Sequence, residues 1–204
     1  MKQMTHTAIA GALEDVLLLE REFEAALAGQ LRTLMDEPGI ARELRQVHSA
    51  CERHIEALEL MTERSEERVP GVKQAMKRGA LAVRDAGEAV TAFLHTEQLA
   101  RDIREDYTTI AAATISYVAL HTMGMALGDE EVAELARLHL RDYARGSMTL
   151  HNIAPSAVLR HLVEDGQPAD ASVLPDIEEN ILDVWRVSAE PVSPPMASRR
   201  SLAR

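Results

Sequence analysis

TTIAAATISYVAL, residues 108–120, holds no charge, no Gly and no Pro. Thirteen residues without a breaker outrun a typical strand and suit a helix. The stretch is apolar on nearly every side, which predicts the most buried element of the protein, centred on Ile110–Tyr117. Reading outward, this helix spans about Thr96 to Leu127 and stops at Gly128-Asp129. Asp129 is a candidate N-cap for the next helix, because Glu130 and Glu131 follow where the helix dipole favours acids. That helix carries Val132, Leu135, Leu138 and Met148 and runs to about Asn152. Pro155 permits a further turn through Val163. Asp165-Gly166-Gln167-Pro168 reads as a loop, and Leu174–Val187 as a last short helix with the only Trp, Trp185.

Toward the N-terminus the apolar period is again three to four. Leu13, Val16, Leu17, Phe23, Leu27, Leu31 and Leu34 mark one face of a helix from about Thr5 to Met35. Asp36-Glu37-Pro38-Gly39 breaks it. Leu44, Val47, Cys51, Ile55, Leu58 and Met61 mark a second helix over about Ile40–Arg64, and Val69-Pro70-Gly71 ends that. A third stretch, Val72 to about His95, has a small apolar stripe that includes Ala75, Ala82, Ala86 and Phe93.

Composition agrees with helices. The 204 residues are 46% hydrophobic but only 3% aromatic, with ten Gly and eight Pro. The net charge of −11 disfavours nucleic acid as a partner, since duplex binding depends on basic side chains neutralising phosphates. It disfavours an anionic membrane surface for the same reason. The single Cys51 excludes an internal disulfide and fits a reducing compartment. The opening MKQMTHTAIAGALEDV lacks a signal-peptide core, and no run of 18 apolar residues occurs, so a cytoplasmic location is expected. No Gly-rich phosphate loop or nucleophile elbow is present.

Polar residues interrupt three of the stripes. Glu20 falls on the first helix's stripe, His54 on the second and Asp142 on the fifth, read as 132, 135, 138, 142, 145. A carboxylate inside a core is costly unless paired or bound to a metal. Inward Glu and His on separate helices are how di-iron bundles hold their ions. The plain alternative is a core histidine hydrogen-bonded to a carbonyl or to Glu20. The spacing opposes a complete site: Cys51, not Glu, stands three before His54, and Ile110–Thr114 reads IAAAT without a ligand. The remaining histidines, His139 among them, are expected at solvated or capping positions.

The stretch Arg101–Leu162 resembles the ferritin-like stress-protein family of the YciF type. Asp106-Tyr107, Tyr117, Gly128-Asp129 and Pro155 carry the resemblance, and LEDVLLLEREFEAAL and ACERHIEALE resemble the family's first two helices. It implies an all-α, ferritin-like antiparallel four-helix bundle with an additional helix. It also implies metal positions at Glu20, His54 and Asp142. Where the family has Glu, His and Glu on the fourth helix, this chain has Ile110, Ala111 and Ala113, and Tyr143 replaces the second acid of the last pair. The expected protein is therefore non-enzymatic, a stress-related binding or structural module with a degenerate di-iron site and no cofactor. The alternative is an iron or manganese oxidase or storage protein.

Residues 1–187 are expected to form the bundle and 188–204 a flexible basic tail. The segment 186–204 holds four Arg and one Glu on a body of −14. RRSLAR is similar to the short tails of ferritin-like encapsulin cargo proteins, which makes a protein partner through the tail a second alternative. The small residues Ala75, Gly79, Ala82, Ala86 and Ala89 allow close helix approach and point to a homo-oligomer.

Overall fold

The computed structural model describes residues 2–35, 37–68 and 98–188. Among them are five α-helices, one 3-10 turn and no strand. The helices are α1 (Lys2–Thr33), α2 (Pro38–Arg68), α3 (Gln98–Leu127), α4 (Glu130–Glu164) and α5 (Leu174–Ser188). The 3-10 turn, Ala171–Val173, precedes α5 and is capped by Asp170. The expected stretch Val72–His95 and the expected tail beyond Ser188 lie outside the described residues.

Local chemistry explains most of the ends. Pro38 does not lie in a turn but opens α2, where its fixed φ suits the first helical position. Gly128 takes φ +74°, and the Asp129 amide reaches back to the Gly124 carbonyl at 2.9 Å, closing α3 in the left-handed conformation that Gly adopts freely. Asp129 then caps α4 as expected, accepting from the Val132 amide at 3.2 Å. Pro155 does not end α4, which runs on to Glu164. The ring costs one intrahelical bond, about 3 kcal/mol in an exposed helix. Ile153 and Ala157 are buried on either side of it, and their packing carries the helix through.

The four long helices pack in antiparallel neighbours. α1 meets α2 through Glu20–His54 and Glu24–His48, and α3 meets α4 through Tyr117–His139 and Gly124–Ala133. α1 meets α3 through Glu20–Tyr117 and Gln30–Asp106, and α2 meets α4 through Cys51–Tyr143 and Arg64–Glu131. In each pair one residue number rises as the other falls. The shared interior is lined by Leu13, Phe23, Leu27, Leu44, Leu58, Ile110, Leu120 and Leu150. Each fully buried Leu contributes about 1.5–3 kcal/mol.

The expectation that α3 is the most buried element, with Ile110–Tyr117 at its centre, is overturned. Ile103, Ile110, Ala113, Tyr117, Leu120 and Gly124 face inward, but Ala111 and Ala112 are exposed and Ile115 is 69% exposed. α3 is long and apolar enough over 18 residues to cross a membrane by length and composition, which the residue-by-residue reading missed. Only 28% of that window is buried.

Candidate functional site: a buried carboxylate with three hydrogen-bonding neighbours

Glu20 reaches the interior because α1 repeats its apolar residues at 13, 16–17, 23 and 27, and position 20 completes the stripe. Its side chain is 0% exposed. Tyr117 of α3 donates its hydroxyl to Glu20 Oε1 at 2.6 Å, and Tyr143 of α4 donates to Oε2 at 2.5 Å. His54 of α2 brings Nδ1 to 3.1 Å from Oε1. A carboxylate only accepts, so both phenols donate and His54 carries its proton on Nδ1. Around this centre lie two further groups. His139 Nδ1 is 2.9 Å from the Tyr117 hydroxyl, and Cys51 Sγ is 3.6 Å from the Tyr143 hydroxyl. The direction of transfer follows: His139 N–H to Tyr117, Tyr117 O–H to Glu20, Cys51 S–H to Tyr143, Tyr143 O–H to Glu20.

Electrostatics hold the phenol and thiol protons in place. Burial, followed by the charge of Glu20, pushes the Tyr117 and Tyr143 phenols well above the usual range, and does the same to the Cys51 thiol. His139 is stacked on His54 with ring centroids 3.9 Å apart. Burial, followed by its electrostatic interactions with His54 and Arg53, pushes it down to about 3, so it stays neutral. Cys51 is thus an inert buried thiol, not a nucleophile.

The residues expected as metal ligands are brought together, but not as a coordination sphere. Glu20 sits on Nδ1 of His54, while Asp142 Oδ2 sits 3.5 Å from Nε2. Among the described residues, the group of three whose ligand atoms come within 4.8 Å of one another is a different one, so these three do not form a coordination sphere as placed. The donor set does not fit a bridged pair of irons. Asp142 is also not the interior residue that was expected. It is about a quarter exposed, flanked by Arg53 and Arg145 at 3.6 Å each. The buried stripe of α4 runs 132, 136, 139, 143, 146, 150, 153, 157, one position from the expected phase. That slip leaves Leu138 exposed and turns His139, expected at a solvated position, and Tyr143 inward. Hydroxyls and imidazole fill the interior around Glu20, and one layer away a Cβ added at Gly146 would meet the Ile110 side chain at 3.2 Å.

A second cluster lies toward the surface between α1 and α2. Glu24 Oε1 is 2.8 Å from His48 Nε2, and Glu52 Oε2 is 3.6 Å from Nδ1. Among the described residues this is the group of three whose ligand atoms come within 4.8 Å of one another. A third polar centre is Asp106 on α3, 2% exposed, whose Oδ1 accepts from Gln30 Nε2 at 2.9 Å. Burial raises its carboxyl to about 7 against the Gln30 hydrogen bond, and Asp106 Oδ2 and Gln30 Oε1 are buried without a hydrogen-bond partner. The sequence did mark this position, since 106 falls on the 99, 103, 110, 113 stripe.

No family model, curated protein or solved structure matches the chain.

Proposed function

We propose that this is a ferritin-like four-helix bundle of the YciF type with a non-enzymatic, stress-related binding or structural role. One observation speaks against di-iron chemistry: both oxygens of Glu20 accept from phenol hydroxyls, so neither is free to bridge two ions. The ferritin-like part is supported by helix direction. α1 opposes α2 and α3, and α4 opposes α2 and α3, so α2 and α3 run the same way, and the last turn of α2 and the first turn of α3 lie at opposite ends of the four helices. Ferritin-like folds have one such crossover among four helices. The stress-related part rests on the resemblance over Arg101–Leu162.

A second reading, one divalent cation bound near the surface, is favoured by Glu24, His48 and Glu52. Anaerobic loading with ferrous or manganous ion, followed by metal analysis, tests both readings. The expected outcome is at most one ion per chain, lost in His48→Ala and kept in Glu20→Gln. Two ions per chain, about 3.5–4 Å apart and lost in Glu20→Gln, would overturn the proposal.

A further inference from the structure

We propose that the groove between α2 and α4 binds a small organic dianion of the phosphomonoester class. The groove encloses about 460 Å³, and its wall carries Arg45, Arg53 and Arg145 against one acid, Asp142. Three cations to one anion is a local reversal in a chain of net charge −11. The arginines are not saturated by what they have. Arg53 and Arg145 stand 3.6 Å from Asp142 Oδ2 and Oδ1, beyond hydrogen-bonding range, whereas Arg21 grips Glu59 at 2.6 Å. Arg45 makes no ion pair among the described residues. The excess of two positive charges matches a dianion, and guanidinium forks suit a phosphoryl group's paired oxygens. Ser49 and Thr149 place hydroxyl-bearing side chains at the same opening. Val47, Ala50 and Gly146 give the groove an apolar part, so an uncharged body attached to the phosphate has somewhere to lie.

The groove also touches the interior. Tyr143 lines it while donating its hydroxyl inward to Glu20, and Asp142 is the nearest carboxylate to His54 Nε2, which is buried and lacks a hydrogen-bond partner. A dianion that draws Arg53 and Arg145 away leaves Asp142 to His54 alone. The proposal does not depend on whether the bundle holds a metal.

Phenyl phosphate titrated into the full-length protein, followed by backbone-amide NMR, is the test. Saturable shifts are expected at Val47, Ser49, Gly146 and Thr149, with weaker shifts at the same amides for inorganic phosphate and none for phenol. The double variant Arg53→Gln/Arg145→Gln should weaken binding about tenfold or more, and Arg45→Gln by a smaller factor. Arg141→Gln, on α4 but outside the groove, should change nothing. The His54 ring signals should move on binding in the wild type and not in Asp142→Asn. Absence of saturation, shifts spread over other arginine-bearing surfaces, or unchanged affinity in both the double variant and Arg45→Gln overturns the proposal.

Discussion

Asp106 and His139 are both buried titratable groups, and they push stability in opposite directions. Asp106 is raised to about 7 in the folded state, above an unfolded value near 3.9. The native state therefore holds a proton that the unfolded chain releases, and the resulting stability is present below about pH 4 and lost as pH rises through 7. His139 is lowered to about 3 from an unfolded value near 6.5, so its stability is present above pH 6.5 and lost as pH falls toward 3. Between pH 4 and 6.5 the two slopes oppose. Asp106→Asn removes one of them and supplies an N–H where the carboxylate leaves Oδ2 and Gln30 Oε1 without donors. Urea melts should show the variant about 1–3 kcal/mol more stable than wild type at pH 8 and close to it at pH 5. A loss of stability at pH 8 would contradict the assignment. The sequence contained Glu20 and His54 as interior groups, because apolar neighbours at three- and four-residue spacing bracket both. It did not contain Tyr117, Tyr143 or His139 as their partners, since hydrogen bonds across helices leave no periodic mark.

At the scale of elements, α1 and α2 were legible and α4 was not. Leu13, Phe23 and Leu27, or Leu44, Leu58 and Met61, fix the phase of their helices by themselves. On α4 the inward positions 139, 143 and 146 are His, Tyr and Gly, while Leu138 and Met148 lie on the exposed side as decoys. A slip of one residue rotates a helix by about 100°, enough to exchange Asp142 with Tyr143. Close packing within α3–α4 is decided by Gly124. A Cβ there would lie 2.7 Å from the Ala133 amide nitrogen and 2.9 Å from its Cα, and backbone cannot step aside as a side-chain tip can. Gly124→Ala gains up to about 1 kcal/mol of helix propensity but forces the helices apart, which costs about 1–3 kcal/mol. The net expectation is destabilisation. Gly11→Ala in α1, where nothing lies within 4 Å of the new Cβ, should stabilise by about 0.5–1 kcal/mol. Thermal melts of the two variants should move in opposite directions, and a shift of the same sign in both would show that propensity, not packing, governs α3–α4.

For the whole molecule, the outward side of α3 accounts for the apolar character that the sequence could not resolve. Ala111, Ile115, Val118, Thr122 and Met125 recur at alternating four- and three-residue steps, the spacing of a coiled-coil seam. Ile115 and Met125 are 69% and 65% exposed. The oligomer proposed from the small residues of 75–89 is thus better placed on this seam, with a second copy as its partner. Size measurement by light scattering should give at least a dimer for the wild type and a monomer for Ile115→Glu/Val118→Glu. A wild-type monomer would remove the oligomer claim. The same measurement on a chain ending at Trp185 separates the tail from the seam, because only a tail-mediated assembly would fall apart.

One feature of α5 has a practical use. Trp185 is the only indole in the chain, and its Nε1 donates to His151 Nε2 at 2.5 Å, with the rings edge-to-face at 4.9 Å. His151 in turn lies beside Tyr107. α5 makes its described contacts with α4 and the adjoining 3-10 turn. Tryptophan emission therefore reports on the seating of one peripheral helix, while far-UV circular dichroism follows the four long ones. The protein carries its own fluorophore at the joint between them, and undocking of α5 can be timed separately from melting of the core without any added label.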